Sequence, residues 1–223
     1  MPKAGEGLVH GFKAQTGSGN SLPNEEGRGE GEPDQLTPQG AGAVAGSRNF
    51  PAATRLAEVP GPWQVSFDPK WGGPESVTFD TLQDWSQRQE DGIRFYSGTA
   101  IYRKSFDAAS LPEGRRVYLD LGTVKNLAQV RLNGRDLGAV WCAPWRVDIT
   151  ETVKARDNQL EIAVANLWPN RLIGDQSLPP DKRLSRTTWN PYKNDSPLLE
   201  SGLLGPVGLV GQDCADYTTR IAR

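Results

Sequence analysis

The chain has 223 residues, with 25 lysines and arginines against 27 aspartates and glutamates, which gives a formal net charge of −2. This balance argues against nucleic-acid binding, which usually needs a basic surplus. The one histidine, His10, lies far from the aromatic-rich part of the chain, which excludes a Ser-His-Asp triad, a Cys-His pair and a histidine-ligated zinc site there.

The first 58 residues are predicted to form a flexible tail or linker rich in Gly, Pro and Glu. Their only aromatic side chains are Phe12 and Phe50, and the runs EEGRGEG (Glu25–Gly31) and GAGAVAG (Gly40–Gly46) hold almost no large apolar residue. Such a segment buries too little surface to offset an ordering entropy of roughly 1–2 kcal/mol per residue. It also lacks the apolar core of a signal peptide, and no run in the chain approaches the ~20 apolar residues that cross a bilayer. We therefore expect no membrane association and one folded domain over residues 59–223.

From Trp63 onward, apolar residues alternate with polar ones, which is typical of strands with one buried face. Each run is short, rich in β-branched and aromatic side chains, and bounded by Gly, Pro, Asn or Asp. The runs are Trp63–Phe67, Val77–Phe79, Thr99–Phe106, Val117–Leu121, Val130–Leu132 and Leu160–Val164, with a final pair predicted at Gly205–Gln212 and Tyr217–Ile221. No stretch carries a helical stripe, so the pattern predicts an all-β fold, an antiparallel β-sandwich or jelly roll.

Asn133-Gly134 lies between two strand-like runs and predicts a type I′ hairpin, because both residues tolerate a positive φ. Residues 166–205 hold several prolines, Trp168 and Trp189 but no clean strand, and are predicted to form a long ordered loop across the sandwich. The spacing of Cys142 and Cys214 gives no reason to expect a disulfide, so two separate thiols are the simpler prediction.

The ordered series of motifs in the second half of the chain resembles a known family. GTAIYRKSF (Gly98–Phe106), LDLGTVKNLAQVRLNGRDLGAVWCAPWRVDIT (Leu119–Thr150) and DNQLEIAVANLW (Asp157–Trp168) resemble the sugar-binding, galactose-binding-domain-like jelly roll of glycoside hydrolase family 2. LWPNRLIGD (Leu167–Asp175) and SGLLGPV (Ser201–Val207) resemble the C-terminal region of large bacterial α-L-rhamnosidase-like glycosidases of the family 106 kind. The resemblance covers roughly residues 61–212.

The resemblance implies an accessory domain rather than an active site. In such enzymes the catalytic carboxylates lie on a (β/α)₈ barrel of about 200 residues or more, and no βαβ pattern is present here. A missing catalytic barrel is therefore one expected partner, and a carbohydrate from plants or bacteria is the other. The family is typically secreted or periplasmic and requires no cofactor, although jelly rolls of this type often hold a structural calcium ion with loop carboxylates and carbonyls.

Sugars are bound by aromatic faces that stack on C–H groups and by amide, carboxylate or guanidinium groups that contact hydroxyls. The carbohydrate-binding candidates are Trp71, Trp85, Tyr96, Trp141, Trp145, Arg146, Asn166, Trp168, Asn170, Arg171, Trp189 and Asn190. For the tryptophans the alternative is packing in the core or over a sheet face. For Asn166, Asn170, Arg171 and Asn190 the alternative is a buried polar network that fixes the long loop.

Loop carboxylates supply the only candidates for acid–base catalysis: Asp84, Glu90, Asp91, Asp175 and Glu200. A glycosidase needs two of them about 5–5.5 Å apart for retention or about 6.5–9.5 Å apart for inversion. The leading hypothesis is a non-catalytic carbohydrate-binding domain. The alternatives are a small glycosidase that uses two of these carboxylates and a structural spacer with an exposed apolar face.

Overall fold

The computed structural model describes residues 53–109, 111 and 114–213, and within them short β-strands predominate. The strands are β1 (Ala53–Glu58), β2 (Trp63–Ser66), β3 (Val77–Phe79), β4 (Thr99–Phe106), β5 (Arg115–Asp120), β6 (Thr123–Lys125), β7 (Leu127–Leu132), β8 (Arg135–Val140), β9 (Arg146–Asp148), β10 (Asn158–Ala165), β11 (Gly202–Gly205) and β12 (Gly208–Asp213). The helices α1 (Asp91–Arg94) and α2 (Pro169–Gly174) are short. Single 3-10 turns occur at Pro69–Trp71, Trp85–Gln87, Asp175–Ser177 and Pro180–Lys182.

Two antiparallel sheets form the two layers of a sandwich. One has six strands in the order β3-β2-β4-β10-β7-β8, and the other has four in the order β1-β12-β5-β9. The short pair β11–β6 forms a separate ladder. Every ladder between these strands is antiparallel, so the predicted all-β sandwich is confirmed.

Side chains from both sheets enclose one apolar core. Alternation along β10 buries Leu160, Ile162 and Val164, as the period-two pattern predicts. An aromatic cluster fills one part of this core, and within it the rings of Trp85 and Tyr102 stack at 6.5 Å. The indole Nε1 of Trp85 donates a hydrogen bond of 2.6 Å to the Tyr102 hydroxyl, so the polar atoms of both buried rings are satisfied.

The predicted hairpin is present between β7 and β8. Asn133 and Gly134 have φ angles of 51° and 83°, the two positive values that a type I′ turn requires. The Asn133 side chain also donates to the Thr152 carbonyl at 2.8 Å and accepts from the Gln159 amide at 2.9 Å. The turn residue therefore ties the hairpin to β10.

Four strands lie where the sequence predicts none: β1, β11 and the three-residue strands β6 and β9. Residues 53–58, placed in the tail by composition, form β1 against β12, and their largely exposed side chains explain why no alternation marks them. Gly202–Gly205, in the segment predicted to lack strands, forms β11 against β6, with glycines at both ends that give no strand signal. The remaining tail, the predicted strand Tyr217–Ile221 and Cys214 lie outside the described residues. Cys142 is a free, exposed thiol.

Candidate functional site

A cleft of about 660 Å³ opens at the end of the sandwich where β4 begins and β10 ends. We call it the Trp71–Trp168 cleft, after its two exposed aromatic residues. Three parts of the chain form it: the loop after β2, the start of β4, and the β10–β11 connection (residues 166–201). Its lining residues are Asp68, Trp71, Tyr96, Ser97, Gly98, Thr99, Ala165, Asn166, Trp168, Arg171, Leu172, Leu184, Ser185 and Arg186.

Helix α2 supplies one wall of the cleft. Pro169 occupies its first turn, where a missing amide hydrogen costs nothing. Trp168, Arg171 and Leu172 are three and four residues apart, so they share one side of the helix and line the cleft. Asn170 lies elsewhere on the helix and is buried. Trp168 is 63% exposed, so its indole is open to a ligand.

Asn170 anchors the β10–β11 connection rather than facing the cleft. Its Nδ2 donates to the Leu199 carbonyl at 2.7 Å, and its Oδ1 accepts from the Leu199 amide at 2.8 Å. Both amide ends are thus used by one backbone position, which fixes the connection to α2. The structure gives Asn170 the network role that was the alternative from sequence, and a buried amide with both ends paired is unsuited to sugar contact.

Arg171 and Asp175 form a buried ion pair beside the cleft. Their Nη2 and Oδ1 atoms lie 2.9 Å apart, and the two residues are only 6% and 2% exposed. Asp175 also accepts from the Ser185 amide at 2.7 Å, from the Ser185 hydroxyl and from the Leu184 amide at 3.3 Å. Burial raises the pKa of this carboxyl, but the Ser185 hydrogen bonds and the Arg171 charge outweigh it, so the pKa is lowered overall.

The same ion pair places the segment Leu184–Arg186 over the cleft. Asp175 holds Leu184 and Ser185 by their backbone amides. Leu184 packs so closely against the loop after β2 that a β-carbon on Gly72 would lie 2.7 Å from its Cδ1. In that loop Asp68 caps the 3-10 turn by accepting from the Lys70 amide at 2.9 Å, and this turn presents Trp71, which is 47% exposed.

Asn166 and Tyr96 fix the backbone at the base of the cleft by hydrogen bonds. Asn166 accepts from the Gly98 amide at 3.0 Å and donates to the Tyr96 carbonyl at 2.8 Å. The buried Tyr96 hydroxyl donates to the Thr99 carbonyl and accepts from the Asp68 amide, both at 3.1 Å. Burial raises the pKa of this hydroxyl. These side chains are committed to the protein, so they keep the cleft in shape rather than offer free hydrogen-bonding groups.

The remaining carbohydrate-binding candidates lie away from this cleft. Trp85 is 0% exposed in the core, so the prediction that it contacts sugar is wrong. Trp145 packs against the core, and the Arg146 guanidinium pairs with the Asp120 carboxylate at 2.7 Å. Trp141, on the same loop, is exposed. The other two are in the β10–β11 connection: Trp189 is 74% exposed but outside the cleft lining, and Asn190 donates to the Leu172 carbonyl at 3.1 Å.

Most of the candidate carboxylates have structural roles. Asp84 caps the 3-10 turn at Trp85–Gln87 and accepts from the Ser201 amide at 2.9 Å. Glu90 accepts from the Arg88 Nε at 3.0 Å, and this hydrogen bond lowers its pKa. Glu200 pairs with Lys125 at 2.9 Å, Asp175 is the partner of Arg171, and Asp91 is exposed in the first turn of α1.

The cleft does not hold the acid–base pair that glycoside hydrolysis requires. Among the described residues that line it, Asp68 is the one carboxylate, and a retaining or an inverting mechanism needs two.

Two further features bear on the predictions from sequence. Within the described residues, no three acidic, histidine or cysteine side chains gather closely enough to hold a metal ion, and the calcium site stays a prediction. None of the helices in the same part of the chain is long and apolar enough to cross a membrane.

The sequence reasoning missed Asp68, Leu172 and two groups of cleft residues. Ser97 and Thr99 are small residues just before and at the start of β4, and Leu184–Arg186 lies in a polar stretch without a motif. Only the fold brings them beside Trp71 and Trp168, which are 97 positions apart in the chain (168 minus 71).

Comparison with known proteins gives consistent matches. Residues 81–191 match the family model for the glycosyl hydrolase 2 galactose-binding domain-like domain. A putative beta-glucuronidase of Formosa agariphila is 38% identical over 186 residues, which cover 70% of this chain and 16% of that protein. The solved structure of a rhamnosidase from Novosphingobium sp. PP1Y is 41% identical with a TM-score of 0.68, over 72% of this chain and 15% of that one. The resemblance stated from the sequence is confirmed, and the chain spans about one sixth of the length of these relatives.

Proposed function

We propose that this chain, whose residues 81–191 belong to the glycosyl hydrolase 2 galactose-binding domain-like family, is a carbohydrate-binding accessory domain of a longer glycosidase. The relatives it matches are glycosidases of which it spans only 16% and 15%. In this proposal the glycan occupies the Trp71–Trp168 cleft, and hydrolysis takes place on a separate catalytic domain. The parent protein acts outside the cytoplasm, where polysaccharides occur.

The observation that carries this proposal is the pair of exposed indoles in one preformed cleft. Trp71 and Trp168 keep 47% and 63% of their surface open, whereas Trp63 and Trp85 are fully buried in the core. Trp141 and Trp189 are also exposed but do not line this cleft, whereas Trp71 and Trp168 line it together, and sugar C–H faces are suited to stacking on such rings. The volume of about 660 Å³ falls in the usual range for small-molecule sites and exceeds that of one sugar ring.

The support around the cleft favours binding over catalysis. Asn166, Tyr96 and Asp175 use their polar atoms to fix the floor and the Leu184–Arg186 segment. A site held in this way loses little conformational entropy when a ligand enters. The lining that the described residues provide lacks two facing carboxylates, which is what an acid–base mechanism would need.

The test is calorimetric titration of the chain with neutral and acidic plant and bacterial oligosaccharides. Trp168→Ala should weaken binding at least about tenfold, which corresponds to ~1.4 kcal/mol of lost stacking energy. Trp189→Ala is the matched control, because that ring is also exposed but lies outside the cleft lining. Absence of binding across the whole panel, or equal losses from both variants, would overturn the proposal.

A contact surface for the rest of the parent glycosidase is a second candidate role. Exposed Leu167 and Leu199 line a hollow of about 370 Å³ that shares Asn166 with the cleft. Apolar side chains concentrated at one end of a domain are typical of interfaces between domains. If the cleft binds no glycan, this structural role is the one that the geometry supports.

A further inference from the structure

We propose that the Trp71–Trp168 cleft selects neutral sugars over uronates. This inference rests on the proposed glycan-binding function and concerns the class of sugar that the same cleft accepts. Its basis is the charge balance of the cleft, in which the buried cation already has a carboxylate partner and a second carboxylate belongs to the lining.

Arg171 provides hydrogen-bond donors with little uncompensated charge. A guanidinium has five N–H donors, yet among the described residues its single charged partner is Asp175 at 2.9 Å, and its buried Nε has no hydrogen-bond partner there. This Nε is itself closed off from the cleft, so a ligand oxygen can contact only the part of Arg171 that lines it. Since Asp175 neutralises the cation, that contact suits a neutral hydroxyl and offers a carboxylate no uncompensated charge.

Asp68 contributes the negative charge of the cleft lining. Its Oδ1 accepts from the Lys70 amide to cap its own turn, and the charge of the carboxylate remains at the cleft. Glu75, the other acidic residue between β2 and β3, does not belong to the lining. The carboxylate of a uronate would be repelled by Asp68, whereas a hydroxyl or an ester at the same position would not.

Arg186 is the cation that opposes this argument. It lines the cleft, and it takes part in none of the ion pairs found among the residues that the structure describes. Its side chain is exposed, however, whereas Asp68 is half-buried, so salt at a Debye length of about 8 Å screens Arg186 more strongly than Asp68. Asp68 and Arg186 offset each other in formal charge. The remaining lining is dominated by the two indoles with Leu172 and Leu184, which suit the uncharged C–H faces of a sugar ring.

The experiment compares matched ligands that differ only in charge. The probes are glucuronic, galacturonic and mannuronic acid oligosaccharides and their methyl esters, titrated into the chain by calorimetry at low and at physiological salt. We expect at least one methyl ester to bind about tenfold tighter than its free acid, with an affinity that changes less than about twofold with salt. Free acids that bind as tightly as their esters, with strong salt dependence, would overturn the inference and leave glycan binding intact. No binding by any neutral or acidic probe would overturn the proposed function as well.

Two variants test the charge balance itself. Asp68→Asn removes the negative charge, and asparagine still caps the turn, so the ester-to-acid affinity ratio should fall about threefold. Arg186→Gln removes the exposed cation and should raise the same ratio by a similar factor. An unchanged ratio in both variants would contradict the assignment of selectivity to these charges.

Discussion

Replacing Asp175 by asparagine should strongly destabilise the domain. The carboxylate is 2% exposed, lies 2.9 Å from the buried Arg171 guanidinium, and accepts hydrogen bonds from Ser185 and Leu184. Removing one partner of a buried pair leaves the other charge uncompensated, which costs about 3–5 kcal/mol. For a domain of this size each kcal/mol lowers Tm by about 2–4 °C, so Tm should fall by about 6–20 °C.

Thermal and urea unfolding followed by circular dichroism measure this loss. Glu90→Gln is the matched control, because its pair with Arg88 is at the surface and should contribute less than about 1 kcal/mol. The double variant Arg171→Met with Asp175→Leu should recover only part of the loss, since it leaves no buried charge but removes the acceptor of the Ser185 and Leu184 amides. An Asp175→Asn domain within about 1 kcal/mol of the original chain would refute the reasoning.

The pH dependence of the same pair has a definite sign. The pKa of Asp175 is lowered in the folded state, so its contribution to stability is present above the unfolded pKa of about 3.9. That contribution is lost as the pH falls through the lower folded pKa. A Tm series from pH 7 down to pH 2 should therefore show an acid loss that is smaller in Asp175→Asn, and parallel curves would contradict this.

Two further predictions concern the core and its turns. Tyr102→Phe removes the acceptor of the Trp85 indole and leaves that buried donor unpaired, so urea unfolding should show a free energy of unfolding lower by about 1–3 kcal/mol. An unchanged free energy would mean that the 2.6 Å hydrogen bond contributes nothing to stability. Gly122→Ala, at a φ of +70°, places a β-carbon against the Gly205 carbonyl, whereas Gly114→Ala, at a φ of +69°, meets open space. The first variant should therefore lower the free energy of unfolding by at least about 2 kcal/mol more than the second. Equal losses would show that the contact with Gly205 relaxes freely.

Most strands were predictable because burial of one face makes apolar and polar residues alternate along the sequence. β10 shows this most clearly, with Leu160, Ile162 and Val164 buried as expected. β1 was not predictable, because it is held mainly by main-chain hydrogen bonds to β12 and exposes most of its side chains. An edge strand of this kind carries no hydrophobic signal.

The site was only partly predictable, because similar local sequences meet different environments. Trp71 and Trp85 both lie in an aspartate-capped 3-10 turn, yet one is exposed in the cleft and the other stacks on Tyr102 in the core. Asn170 and Arg171 are adjacent, but one anchors the loop and the other lines the cleft. Packing between distant parts of the chain determines whether each side chain is buried or lines the cleft, and a single sequence does not show that packing.

The measurement that tests the central claim most directly is a glycan titration followed by NMR of the tryptophan indole N–H groups. The chain has seven tryptophans, and each gives one such signal. With a bound neutral oligosaccharide, the signals of Trp71 and Trp168 should shift, while those of buried Trp85 and of Trp189 outside the cleft stay in place. Shifts confined to Trp189 or Trp141, or no shift at saturating glycan, would contradict the assignment of the cleft as the sugar site.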